Sequence, residues 1–161
     1  VSETLAMLLD VVQVQARLPH RYPFLFIDRV SAFEDLGEHH KRIVAHKLVS
    51  IADPILQGHF PGHPVLPGVV QVEAMAQAAV LLASLAGQFD AATHHCYFLG
   101  IQGAKFRGPA VPGDLLDIEV SSNRLGRIGK FEGVVRCGGD VRSSAEFTAI
   151  VEPRRDLVPG T

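Results

Sequence analysis

The chain is 161 residues long, 47% hydrophobic and 20% charged, with a net charge of -2 when histidine is counted neutral. That is enough chain to bury a core within one domain and too apolar for a disordered segment; its adjacent basic pairs, Lys41-Arg42 and Arg154-Arg155, fall far short of a nucleic-acid-binding patch. Cys96 and Cys137 stand alone, which suits a reducing, cytoplasmic setting better than a disulfide framework, and Val1-Ser2-Glu3 opens without the basic n-region of a signal peptide.

Leu5, Leu8, Leu9 and Val12 recur at helical spacing behind Ser2, a candidate N-cap. They predict a short amphipathic helix over Glu3–Gln15, within an N-terminal segment of residues 1–17. Leu18-Pro19-His20-Arg21-Tyr22-Pro23 ends it, because proline removes a donor and biases its predecessor to extended backbone. Phe24–Phe33, rich in aromatic and β-branched residues, reads as a strand. Glu34–Glu38 reads as a turn around Gly37, and Lys41–Ser50 as a half-buried strand. Ala52–Pro67 is loop, dense in proline and glycine. Gly68–Ala86 reads as a helix that is apolar almost all round, with Gly87 as its C-cap. Its length approaches the ~20 residues of a membrane span, but Gln71, Glu73 and Gln77 fall within two turns and argue for a buried core helix, with no membrane span. His94–Arg107, Asp114–Arg124, Arg127–Cys137 and Val141–Val151 read as four more strands, the last three close enough for an antiparallel meander. Residues 153–161 form a polar, frayed tail. Residues 1–161 together read as a single α+β domain, a curved antiparallel sheet of about six strands wrapped around one long central helix.

The chemistry concentrates where the loop meets that helix. His59 lies among Gly58, Pro61, Gly62, Pro64, Pro67 and Gly68, a stretch that loses little entropy on folding and holds its side chains still. Stillness is what proton abstraction needs, since the base must sit about 2.6–3.2 Å from its target. Gly68 opens the helix after Pro67, where free backbone N–H groups form a ready site for a carbonyl or anion. Glu73 is a lone acid on an apolar helix; burial favours its neutral form, which can protonate a departing hydroxyl, although a plain buried acid hydrogen-bonded to Gln77 fits the pattern as well. These groups suit abstraction of the α-proton of a thioester with loss of water. His59 and His63 share the i, i+4 spacing of a zinc pair, but that pair requires a helix and the intervening prolines forbid one.

The segments Leu18–Val30, Gln57–Gly68 and Glu73–Ala79, followed by Phe98–Ile101, Lys105–Arg107 and Val111–Asp114, resemble in order those of the FabZ-type (3R)-3-hydroxyacyl-[acyl-carrier-protein] dehydratases of fatty acid biosynthesis. The resemblance implies a hot-dog fold, with His59 and Glu73 as the catalytic pair and Gly68 as the source of the carbonyl-binding N–H. It implies a site shared across a homodimer, His59 from one copy and Glu73 from the other, and a hexamer built as a trimer of dimers. It further implies a tunnel for an acyl chain presented on the phosphopantetheine arm of acyl carrier protein, with no metal and no cofactor bound by the protein itself. Glu rather than Asp at position 73 implies dehydration without isomerisation. Gln102, Lys105, Gly108, Ala110 and Leu115 depart from the family's usual residues and bear on chain length and carrier partner. The readings left open are an acyl-thioesterase or acyl-binding module on the same fold, and a dehydratase of a specialised acyl pathway, including lipid A-type 3-hydroxyacyl substrates.

Overall fold

The computed structural model describes residues 7–157. The elements run in the order α1 (Val11–Arg17), β1 (Arg29–Asp35), β2 (Lys41–Leu48), α2 (Gly68–Leu85), β3 (His94–Phe106), β4 (Leu115–Arg124), β5 (Ile128–Cys137) and β6 (Asp140–Pro153). The six strands form one antiparallel sheet in the order β1-β2-β4-β5-β6-β3. Tight turns join β4, β5 and β6 into the expected meander, whereas β3 returns to the far edge to pair with β6.

The sheet curls because α2 has no face to show to water. Met75, Ala78, Leu81 and Leu82 are completely buried, and each large side chain among them contributes about 1.5–3 kcal/mol by leaving solvent. The strands supply the matching lining by alternation: Leu116, Ile118 and Val120 of β4 point inward, as do Phe131 and Val135 of β5 and Ala145 and Phe147 of β6. The helix therefore meets strands β2 to β6 along its length. By length and composition it is also apolar enough to cross a membrane, and 67% of it is buried inside the sheet.

Four sequence expectations shift. Leu8 and Leu9 are not helical: their N–H groups donate to the Val30 carbonyl, and Val30 N–H donates back to Leu9. The helix starts at Val11, capped by Asp10 in a reciprocal box with Gln13, and the candidate cap Ser2 lies outside the described residues. The first strand starts at Arg29 rather than Phe24, because the backbone of Phe24 and Phe26 is bonded to the side chain of Gln77 instead of to a strand. α2 is capped at Ala86, with Gly87 one residue further on. Finally, β6 runs on through Pro153, so the start of the expected tail is sheet, followed by a 3-10 turn over Arg155–Leu157.

One edge of the sheet is unusual. β3 exposes Tyr97, Leu99, Ile101 and Phe106, about half of each side chain's surface. Edge strands are normally blunted by charge or by brevity; this one is 13 residues long and, with Lys105 its only formal charge, mostly apolar from Cys96 to Phe106.

Candidate active site

The loop before α2 holds His59 by backbone alone. Phe60 and His63 exchange N–H···O bonds, each 2.9 Å, with Gly62 at φ 74° between them, and Val65 N–H donates to the His59 carbonyl at 2.8 Å. Only glycine takes that φ freely. Leu66 N–H ties the loop to Ala110 at 2.8 Å. The His59 ring is then fixed by a 2.6 Å contact between Nδ1 and the Val65 carbonyl. A carbonyl only accepts, so Nδ1 carries the proton and Nε2 of the neutral ring keeps its lone pair. Nε2 has no protein partner among the described residues. His63 is exposed at the turn and stands apart from this arrangement.

His59 and Gly68 line the same cleft, together with Val69, Gln71 and Phe106. In the first turn of α2, Val70 and Gln71 N–H both bend back to the Pro67 carbonyl. The N–H groups of Gly68 and Val69 find no backbone acceptor among the described residues, as expected for a helix start. Gly68 has a further reason to be glycine: a Cβ there would lie 2.4 Å from Cδ1 of Phe106, whose ring covers the helix start.

Glu73 faces elsewhere. It lines a second pocket with His20, Gln77, Val80, Cys96 and Phe98. Five residues of helix turn Glu73 about 140° away from Gly68, and the two linings have no residue in common. One chain thus carries the two halves of the expected pair on different sides of α2. Gln77 Nε2 donates to Glu73 Oε1 at 3.0 Å and to the Phe24 carbonyl at 2.8 Å, while its Oε1 accepts from Phe26 N–H at 2.8 Å. The acid is held in place by a residue that is itself fully committed. Burial pushes the Glu73 carboxyl above the ordinary glutamate range, opposed by the bond from Gln77.

Sequence reasoning passed over two neighbours of Glu73. His20 brings Nε2 to 3.6 Å from Glu73 Oε1, and its Nδ1 is buried without a hydrogen-bond partner among the described residues. Burial, and then the charge of Arg21, lower its pKa, so the pair is biased to neutral imidazole beside neutral acid. The only signal for His20 was its place in the resembling Leu18–Val30 segment. Cys96 lies behind Glu73; burial first and the Glu73 charge second push its thiol up to about 11. It also borders an apolar cavity lined by Ala79, Val80, Phe89, Phe131 and Val151, which shares Val80, Cys96 and Ala149 with the Glu73 pocket.

His46 offers a contrast. Its Nδ1 lies 2.9 Å from Asp117 Oδ1 and its Nε2 2.7 Å from Ser31 Oγ. The string looks like a hydrolase triad, but the ring is 2% exposed and both nitrogens are engaged, so it braces three strands.

Comparison with known proteins identifies the family. The FabA-like domain matches residues 18–146. The protein named 3-hydroxyacyl-[acyl-carrier-protein] dehydratase FabZ from Anaeromyxobacter dehalogenans strain 2CP-1 is 48% identical over 149 residues, 91% of this chain and 93% of that protein. The protein of the same name from Erythrobacter litoralis is 48% identical over 143 residues, 88% of this chain and 92% of its own. Among solved structures, a chain of the dehydratase heterocomplex ApeI:P from Xenorhabdus doucetiae superposes with a TM-score of 0.67 at 23% identity, covering 89% of this chain and 92% of that one, a likeness of fold. The chain belongs to the FabA-like domain family, among its FabZ relatives.

Proposed function

We propose that this protein dehydrates (3R)-3-hydroxyacyl groups carried on acyl carrier protein to trans-2-enoyl groups, in the elongation cycle of fatty acid biosynthesis in the cytoplasm. The observation that carries the reading is the tautomer lock on His59: a base whose free nitrogen faces the same cleft as the unpaired N–H groups of a helix start. Relatives of nearly full length bearing the dehydratase name support it.

The substrate's thioester carbonyl sits against the Gly68 N–H. Nε2 of His59 takes the α-proton, and the electron pair moves onto the carbonyl oxygen, where the helix start holds the developing charge. Glu73, whose burial favours the protonated form, gives its proton to the β-hydroxyl as the C–O bond breaks and the α,β double bond forms. The α-proton on His59 and the hydroxyl leaving with the Glu73 proton balance to one water; return of the His59 proton to the Glu73 carboxylate through solvent restores both groups. The acyl chain runs past Val80 and Cys96 into the apolar cavity behind Glu73. The phosphopantetheine arm arrives with the substrate, and every step uses this protein's own side chains and backbone.

Since His59 and Glu73 lie on different sides of α2, the working site takes His59 from one copy and Glu73 from another. The apolar, exposed β3, which contributes Tyr97 and Phe98 to the Glu73 pocket, is the surface on which the copies join, and three such dimers form a hexamer.

Incubation with a 3-hydroxyacyl carrier-protein thioester tests the reading. Enoyl product is expected in step with loss of substrate. Release of free thiol without enoyl product would instead show a thioesterase, and no turnover would show a binding module.

A further inference from the structure

We infer that Gln71 is a second hydrogen-bond donor to the thioester carbonyl, aimed by Ser143. The inference rests on the dehydratase reading of the His59 cleft and adds to it a side chain that the sequence reading left unassigned. Among the residues lining that cleft, only His59 and Gln71 carry polar side chains; the rest are apolar or glycine. Gln71 stands three residues after Gly68, on the same helix face one turn along.

Gln71 is 3% exposed and Ser143 is 0% exposed, a buried polar pair that must justify its desolvation by its bonds. The Ser143 hydroxyl donates to Gln71 Oε1 at 2.7 Å. That contact fixes which way the amide points. With the amide turned over, its nitrogen would donate to Ser143 Oγ, and the buried hydroxyl proton would have no acceptor among the described residues. A buried donor left unpaired is expensive, so Oε1 stays on Ser143 and the NH₂ is the end left for the cleft. Gln71 Nε2 has no protein acceptor among the described residues, yet it is not among the buried nitrogens cut off from solvent. A donor that is held by a buried hydroxyl, walled by apolar side chains and open only to the cleft is built for an oxygen that enters there. In α-proton abstraction the oxygen that gains charge is the thioester carbonyl, which meets two kinds of donor: backbone N–H at Gly68 and side-chain N–H at Gln71.

Steady-state kinetics of Gln71→Leu with 3-hydroxybutyryl groups on carrier protein and on N-acetylcysteamine test this. We expect kcat to fall by about 10- to 100-fold, below the full loss seen for the best oxyanion donors because the backbone donor remains, with KM changing little and equally for both substrates. Ser143→Ala should give a smaller fall, and Gln71→Leu/Ser143→Ala no more than Gln71→Leu alone, because one acts through the other. The double variant removes both buried partners and keeps the fold if the single one strains it. The carbonyl stretch of bound enoyl thioester should move to higher frequency in Gln71→Leu, a signature that a packing role would not produce. A defect confined to KM and to the carrier-bound substrate would assign Gln71 to the phosphopantetheine arm and overturn the proposal, as would an unchanged kcat in a folded variant. Failure of the underlying reading is distinguishable, since the parent protein would then form no enoyl product, or His59→Ala would leave its kcat intact.

Discussion

The two halves of the site are built differently. The His59 half is finished within one chain: a loop closed by reciprocal backbone bonds, a ring locked by the Val65 carbonyl, and a helix start beside it. The Glu73 half is held from behind by Gln77 but bounded by an edge strand with half-exposed aromatics. The base needs only rigidity, which local sequence supplies. The acid needs burial to keep its proton, and burial at an edge requires something to cover it. The difference between the halves is therefore an argument for assembly.

The largest expected effect removes the finished half. His59→Ala should lower turnover by about 10²–10⁴-fold, the usual worth of a general base, with the thermal unfolding curve preserved; a loss under threefold would take the base role from His59. Mixing tests the comparison more sharply. His59→Ala and Glu73→Gln are each expected to be nearly inactive alone. If the halves come from different copies, exchange of equal amounts gives half heterodimers with one intact site of two, hence about a quarter of parental activity. Recovery of none, from variants each inactive alone, would mean that both groups act from the same chain.

How much of this was legible in the sequence varies with the range of the interactions involved. α2 was legible because a helix without a polar face has to be core, and β4 to β6 because glycine turns punctuate them. The His59 loop was legible for the same local reason. The start of β1 was not, because what holds Phe24 and Phe26 is an amide 51 to 53 residues away. The helix over Glu3–Gln15 failed likewise: Leu8 and Leu9 have helical spacing, but they bond to Val30, and apolar spacing carries no record of a partner. Neither Gln71 nor His20 carried a local sign of the part it plays in the site. Their meaning depends on Ser143 and Glu73, which only the fold brings near.

Gly68→Ala probes the helix start of the His59 half. It keeps the backbone N–H, so a role limited to that donor predicts little change. The structure predicts more. The new methyl would press on Cδ1 and Cε1 of Phe106, at 2.4 and 2.6 Å in the present geometry. Phe106 is half exposed and can swing, which limits the loss of stability to about 1–3 kcal/mol, but its ring lines the cleft and would swing into it. Turnover should fall about tenfold, chiefly through KM, and Gly68→Ala/Phe106→Ala should recover much of it. A double variant as impaired as the single one would show that the backbone at Gly68 itself had been displaced.

The smallest expected effect concerns the unfinished half and its proton. Burial raises the Glu73 carboxyl above its unfolded value, so the native state binds that proton more tightly than the unfolded chain does. Protonation therefore favours the fold. The contribution is fully present below the ordinary glutamate range and is lost as pH rises through the raised native value. Glu73→Gln keeps the shape and cannot titrate. Its melting temperature relative to the parent should climb with pH across that window, by about 1–3 °C, and then level off. The same scan below and above the dimerisation midpoint separates the two halves again: if assembly covers Glu73, the window moves to higher pH in the dimer, whereas a pH dependence that ignores protein concentration would place the acid outside the interface.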